Sequence, residues 1–202
     1  MTTKFQLLNL HKFHPIMRYS ELLPLPRISL ESGYSRFQET DVISGAGGYL
    51  EFRRGMYTSE LFGGERIVHM GIDIWAPAHE PVFAFADGRI WGFRDNNNAL
   101  DYGPTIITEH KLGTYKMYAL YGHLSRKSLE GLKAGMPVSA GQRLGWLGDK
   151  TENGGWIPHL HFQLSREEPE LPDMPGVVAP QDLEAAAARY PDPRMVLGPV
   201  YV

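Results

Sequence analysis

The sequence predicts a mainly β protein, an antiparallel β-sandwich or barrel-like sheet with few short helices. Three observations predict it. Glycine and proline are abundant, at 22 and 15 of 202 residues, which favours many turns over a helical bundle. From about Arg66 to Ser165, strand-like apolar runs alternate with turn clusters. The stretch from Lys116 to Leu124 is apolar on both parities, as in a strand buried on both faces.

The strand candidates in chain order are RIVHMGIDIW, PVFAFADGRIWGF, PTIITEH, TYKMYALYGHL, QRLGWLGD and PHLHFQLS. They define a central domain over 61–168. Residues 1–60 carry mixed signals: ELLPLPRISLES is Pro-broken and extended, while SGAGGYLEFRRG holds a short strand between glycines. That segment is expected as an N-terminal extension packed on the core. It reads equally as a groove cap, a dimer contact or added edge strands. Residues 169–202 are expected as a Pro-rich tail with one short helix, QDLEAAAARY, beginning near Pro180 or Gln181.

Composition narrows the function classes. Net charge is −3 without a basic run, which argues against nucleic-acid partners. No apolar stretch approaches the roughly 18 to 20 residues of a membrane span. The opening MTTKFQLLNLHKFHPIMRYS is interrupted by His11, Lys12, His14 and Arg18 and has no secretory h-region, so a cytoplasmic location is expected. There is no cysteine, so disulfides and thiolate metal sites are excluded, and any metal must use nitrogen and oxygen ligands.

Those ligands have candidates. In a strand, alternate side chains share a face. VHMGIDI would therefore point His69, Gly71 and Asp73 one way and Val68, Met70, Ile72 and Ile74 into a core. PHLHFQLS would place His159, His161, Gln163 and Ser165 opposite Leu160, Phe162 and Leu164. His123 follows Gly122 where a strand runs into a loop. A catalytic zinc site takes three protein ligands and keeps one position for water. His69, Asp73 and one of the paired histidines are the set this pattern offers. The plainer alternative is that each histidine is satisfied by a backbone carbonyl, the reading given to His11, His14, His79 and His110. Pattern alone leaves both open.

The segments HMGID, YGHLS and PHLHFQL, in that order, with PVFAFADGRI and GMPVSAGQRLGWLGD between them, resemble the lysostaphin-like zinc metallopeptidases of the peptidoglycan endopeptidase type. The resemblance covers about 64–165 and implies their fold, a duplicated hybrid motif with one Zn2+ on a groove floor. It assigns His69, Asp73 and His161 as zinc ligands and His123 and His159 as the histidines that assist catalysis. It also implies a peptide or small amide of cell-wall type as substrate. The lead-in GDKTENGGWIP and Gln163 depart from the family pattern and bear on substrate choice. YLEFRRGMYTSELF and YPDPRMVLG resemble a branch found as a module in large cytoplasmic chains, between kinase-like and aminotransferase-like domains. Two other classes compete: a non-haem iron oxygenase, whose carboxylate usually sits two residues after the first histidine, and a binding or phospho-relay module, which has no need of Asp73.

Overall fold

The computed structural model describes residues 13–19, 22–33, 38–54, 56 and 65–201. Its centre is a seven-stranded sheet built from β1 (Gly45–Gly47), β3 (Ile72–Trp75), β5 (Gly88–Asn96), β6 (Gly103–Leu112), β7 (Tyr115–Gly122), β8 (Pro137–Val138) and β10 (His159–Ser165). The spatial order is β1-β3-β10-β7-β6-β5-β8, with every pair antiparallel. Two smaller pairs complete it: β2 (Val68–His69) with β11 (Val177–Val178), and β4 (Pro81–Phe83) with β9 (Arg143–Trp146). This is the mainly antiparallel β architecture that the turn-rich sequence predicts.

Two apolar clusters lie against the central sheet. The larger gathers Ile72, Ile74, Ile106, Met117, Ala119, Tyr121, Leu160, Phe162 and Leu164, with Ile16, Met17, Tyr19 and Leu25 from the N-terminal region. The smaller holds Val68, Met70, Tyr102, Ile107, Tyr118, Leu120 and Met174. β7 feeds both, Met117, Ala119 and Tyr121 into one and Tyr118 and Leu120 into the other, which is why its sequence shows no polar parity.

The stretch RIVHMGIDIW corrects a sequence expectation. It is not one strand: the chain bends at Gly71, so β2 pairs with β11 while β3 joins the main sheet. Val68 and Met70 consequently enter the smaller cluster, and only Ile72 and Ile74 enter the larger. Gly71 explains the bend, because a Cβ there would meet the His161 ring at 2.5 Å and the Phe162 carbonyl oxygen at 2.9 Å.

The tail differs as well. QDLEAAAARY forms a 3-10 turn over Pro180–Asp182 that runs into α1 (Leu183–Arg189), but a second helix, α2 (Arg194–Leu197), follows. Four residues are too few to show helical periodicity, and Pro193 before it and Gly198 after it are its only signals. Among the described residues no helix is long and apolar enough to cross a membrane.

Candidate metal centre

Register builds the site. Asp73 and His161 are direct cross-strand partners on β3 and β10, so both project from one face with Asp73 Oδ1 3.1 Å from His161 Nδ1. His69 reaches the same point from β2: its Nε2 lies 3.0 Å from His161 Nδ1 and 3.4 Å from Asp73 Oδ1. One ligand atom from each of the three residues falls within 4.8 Å of the others, and all three residues are buried.

The hydrogen bonds behind these rings fix their tautomers. His69 Nδ1 lies 2.9 Å from the Gly48 carbonyl; a carbonyl only accepts, so Nδ1 carries the proton and Nε2 a lone pair. Gln163 donates its amide N–H to the Pro175 carbonyl, so its Oε1, 3.0 Å from His161 Nε2, accepts. The Tyr102 hydroxyl donates to the Met174 carbonyl and stands 3.3 Å from the same nitrogen. His161 Nε2 therefore carries its proton and Nδ1 is left bare. Two imidazole lone pairs and a carboxylate oxygen converge with no hydrogen between them, an arrangement suited to a cation.

His159 and His123 flank this point. His159 Nδ1 donates to the Ile157 carbonyl at 2.7 Å, and its Nε2 lies 3.8 Å from Asp73 Oδ1. His123 Nδ1 donates to the Asn153 carbonyl at 3.0 Å. The two ring centroids are 4.3 Å apart. His123 sits at φ 61°, a left-handed conformation that a non-glycine residue adopts only when its surroundings impose it. They do: its N–H donates to the Tyr102 carbonyl and its own carbonyl accepts from Gly148. Gly122 just before it leaves room for Tyr102, since a Cβ there would meet that ring at 2.7 Å.

Burial shapes the electrostatics. Burial and then the Arg53 guanidinium push His69 down to about 4, against the pull of Asp73. Burial also lowers His123 and His159, with neighbouring imidazoles adding to the effect. For Asp73 burial acts upward, but the surrounding imidazoles and Arg53 outweigh it and hold the carboxyl well below its usual range. The site lines a cleft of about 400 Å³, whose walls also include Trp156, Leu100, Leu171 and Met174.

All five sequence-derived site residues, His69, Asp73, His123, His159 and His161, thus meet in one place. Among the described residues the other histidines do not join them. His14 and His110 hydrogen-bond the Pro15 and Asp87 carbonyls, His79 is exposed, and His11 lies outside the described residues. Sequence reasoning missed Arg53, which binds Asp73, and Tyr102 and Asn153, which hold His161 and His123. None stands in a periodic run; a Tyr-Gly turn and an Asn-Gly-Gly turn read as ordinary loop chemistry. The odd lead-in ENGGWIP is explained by Asn153. Its amide nitrogen donates to the Gly148 and Trp156 carbonyls, and its amide oxygen accepts from the Gly155 and Trp156 N–H groups.

Comparison with known proteins completes the picture. The sequence model of peptidase family M23 matches residues 67–172, just over half of the chain. A Neisseria meningitidis serogroup B protein named DD-carboxypeptidase/endopeptidase Mpg is 32% identical over 124 residues, covering 61% of this chain and 26% of that protein. The gonococcal protein of the same name matches to the same extent. The chain thus spans about a quarter of the length of these relatives. Among solved structures, the catalytic domain of the antimicrobial peptidase lysostaphin from Staphylococcus simulans is 26% identical, with a TM-score of 0.47 over 68% of this chain and 90% of that one. The catalytic domain of the prophage-encoded protein EnpA from Enterococcus faecalis is 25% identical, with a TM-score of 0.46 over 72% and 93%.

Proposed function

The chain belongs to peptidase family M23, and on that premise we propose that it hydrolyses a peptide bond with water activated at a zinc ion held by His69, Asp73 and His161. The observation that carries this reading is the convergence of two imidazole lone pairs and one carboxylate oxygen. Nitrogen and oxygen donors in this number are the ligand set of a catalytic zinc site. Zinc bound there supplies Lewis acidity toward the scissile carbonyl and a water that ionises near pH 7, at about 7 where bulk water requires about 15.7.

The chain's own residues do the rest. His159 and His123 commit their Nδ1 protons to carbonyls and so present Nε2 to the cleft. One ring takes the proton of the attacking water and returns it to the leaving amine. The other, neutral and with its Nε2 lone pair free, accepts a hydrogen bond from that water and so orients it for attack. Trp156, Leu100 and Met174 line the cleft beside these groups. The Mpg relatives and the lysostaphin-like resemblance support a cell-wall-type peptide as substrate.

The test is hydrolysis by the purified, zinc-loaded protein of three substrate sets: cross-linked wall fragments, glycine-rich peptides and small amino amides. Cleavage within one set, lost to a chelator and restored by zinc, is the expected result. Absence of cleavage in all three by protein holding one zinc per chain would overturn the peptidase reading.

A further inference from the structure

Behind the metal centre runs a buried ionic chain that the reaction itself does not use. Arg53 Nε donates to Glu51 Oε2 at 2.7 Å, and Arg53 Nη1 donates to Asp73 Oδ2 at 2.7 Å. Glu51, Arg53 and Asp73 are 3%, 2% and 1% exposed. The other Glu51 oxygen accepts from the Leu30 N–H at 3.2 Å. The backbone of this segment is laced to β2: Leu50 N–H donates to the His69 carbonyl, His69 N–H to the Glu51 carbonyl, and Arg53 N–H to the Ile67 carbonyl. The strand that delivers His69 therefore also anchors the guanidinium that grips Asp73.

The two carboxylate oxygens of Asp73 are unequal. Oδ1 faces His161 Nδ1, His69 Nε2 and His159 Nε2 at 3.1, 3.4 and 3.8 Å. Oδ2 is held by Arg53. A carboxylate ligand binds through one oxygen or both, and large oxygen-seeking cations readily take both, whereas a four-coordinate zinc site is filled by one. We propose that Arg53 is a positioning residue that withholds Oδ2, so that Asp73 offers one oxygen only and the cluster is set for four-coordinate zinc. The inference rests on the zinc reading above and adds what determines the coordination mode. Arginine suits the task because its rigid fork spans Glu51 and Asp73 at once, which a lysine ammonium does not. Glu51 supplies the counter-charge without which a buried guanidinium beside a cation site would be strongly unfavourable.

The experiment compares three full-length proteins: wild type, Arg53→Lys, and the charge-neutral pair Glu51→Gln/Arg53→Met. Each is stripped of metal, and its thermal unfolding midpoint shows that it is folded. Zinc affinity is then read by competition with a chromophoric chelator. The visible spectrum of the cobalt(II)-loaded protein reports coordination number. Wild type should show the intense bands of four-coordinate cobalt. Both variants should bind zinc about ten- to a hundredfold more weakly, the usual effect of losing a group that orients a ligand, with a weaker cobalt band as coordination expands. Arg53→Lys, which keeps the charge and loses the fork, decides the matter if the double variant does not fold. Unchanged zinc affinity and cobalt spectrum in a folded variant would overturn the inference, as would a weak, higher-coordinate cobalt spectrum in wild type itself. Failure of wild type to bind zinc at all would instead sink the reading of the site.

Discussion

The two faces of β10 are equally buried and differently specified. Leu160, Phe162 and Leu164 are each 0% exposed, and His159, His161 and Gln163 on the other face are 4%, 3% and 0%. Apolar packing is non-directional, so the first face asks only for the right volume in the larger cluster. On the second face the polar atoms meet particular groups: His159 Nδ1 the Ile157 carbonyl, His161 Nε2 the Gln163 amide oxygen and the Tyr102 hydroxyl, and His161 Nδ1 the Asp73 carboxylate and His69 Nε2. The difference teaches that the fold is specified redundantly and the site singly. Substitutions on one face should move stability, and those on the other should move chemistry.

That contrast can be broken or sharpened by mutation. The largest effect is expected from His161→Ala, which removes a proposed ligand. Turnover should fall to background and zinc, by elemental analysis after desalting, should drop below one per chain. Retention of full zinc and turnover would dissolve the distinction between the faces. Next comes His159→Ala, expected to lower turnover by about 10²- to 10⁴-fold, the range of a general acid–base group, while zinc content and the unfolding midpoint hold. A turnover unchanged from wild type would remove His159 from the chemistry.

On the apolar face, Leu164→Ala should cost about 2–5 kcal/mol in denaturant unfolding, with zinc still bound by the folded protein. Smaller again is a pH effect. Burial depresses His69 and His110 to about 4, whereas an unfolded histidine titrates near about 6.5. Between these values the unfolded chain binds more protons, so the metal-free protein should lose stability as pH falls from about 6.5 toward about 4. A denaturation midpoint independent of pH over that window would contradict it. The smallest effect is expected for Leu160→Met, a volume-conserving swap costing under about 1.5 kcal/mol by the same measurement.

The same contrast explains what was legible in the sequence. Period-two alternation displayed both faces of β10 and the two-sided burial of β7, because pleating converts sequence parity directly into orientation. His69 and Asp73 were legible as a pair, but the geometry that joins them was not. Their separation by a bend at Gly71 into two sheets depends on the His161 ring occupying the space a Cβ would take, a contact 90 residues away in the chain. The supports were illegible for a similar reason. Arg53, Tyr102 and Asn153 act from loops, where local sequence shows turn chemistry and the partner is set by the tertiary fold. The helix α2 escaped because one turn leaves no period to read.

The pairing of β3 with β10 also has a consequence in time. Asp73 and His161 are separated by 88 residues, and His161 belongs to the strand that lies between β3 and β7 in the sheet. A growing chain that has emerged as far as Asp73, or even as far as His123, still lacks the cross-strand partner of Asp73 and with it one residue of the proposed ligand set. Long-range antiparallel pairing is slow to form, and the proposed metal site is complete only once this distant pairing is made. Until β10 docks, the proposed metal site lacks His161, one of its three ligand residues.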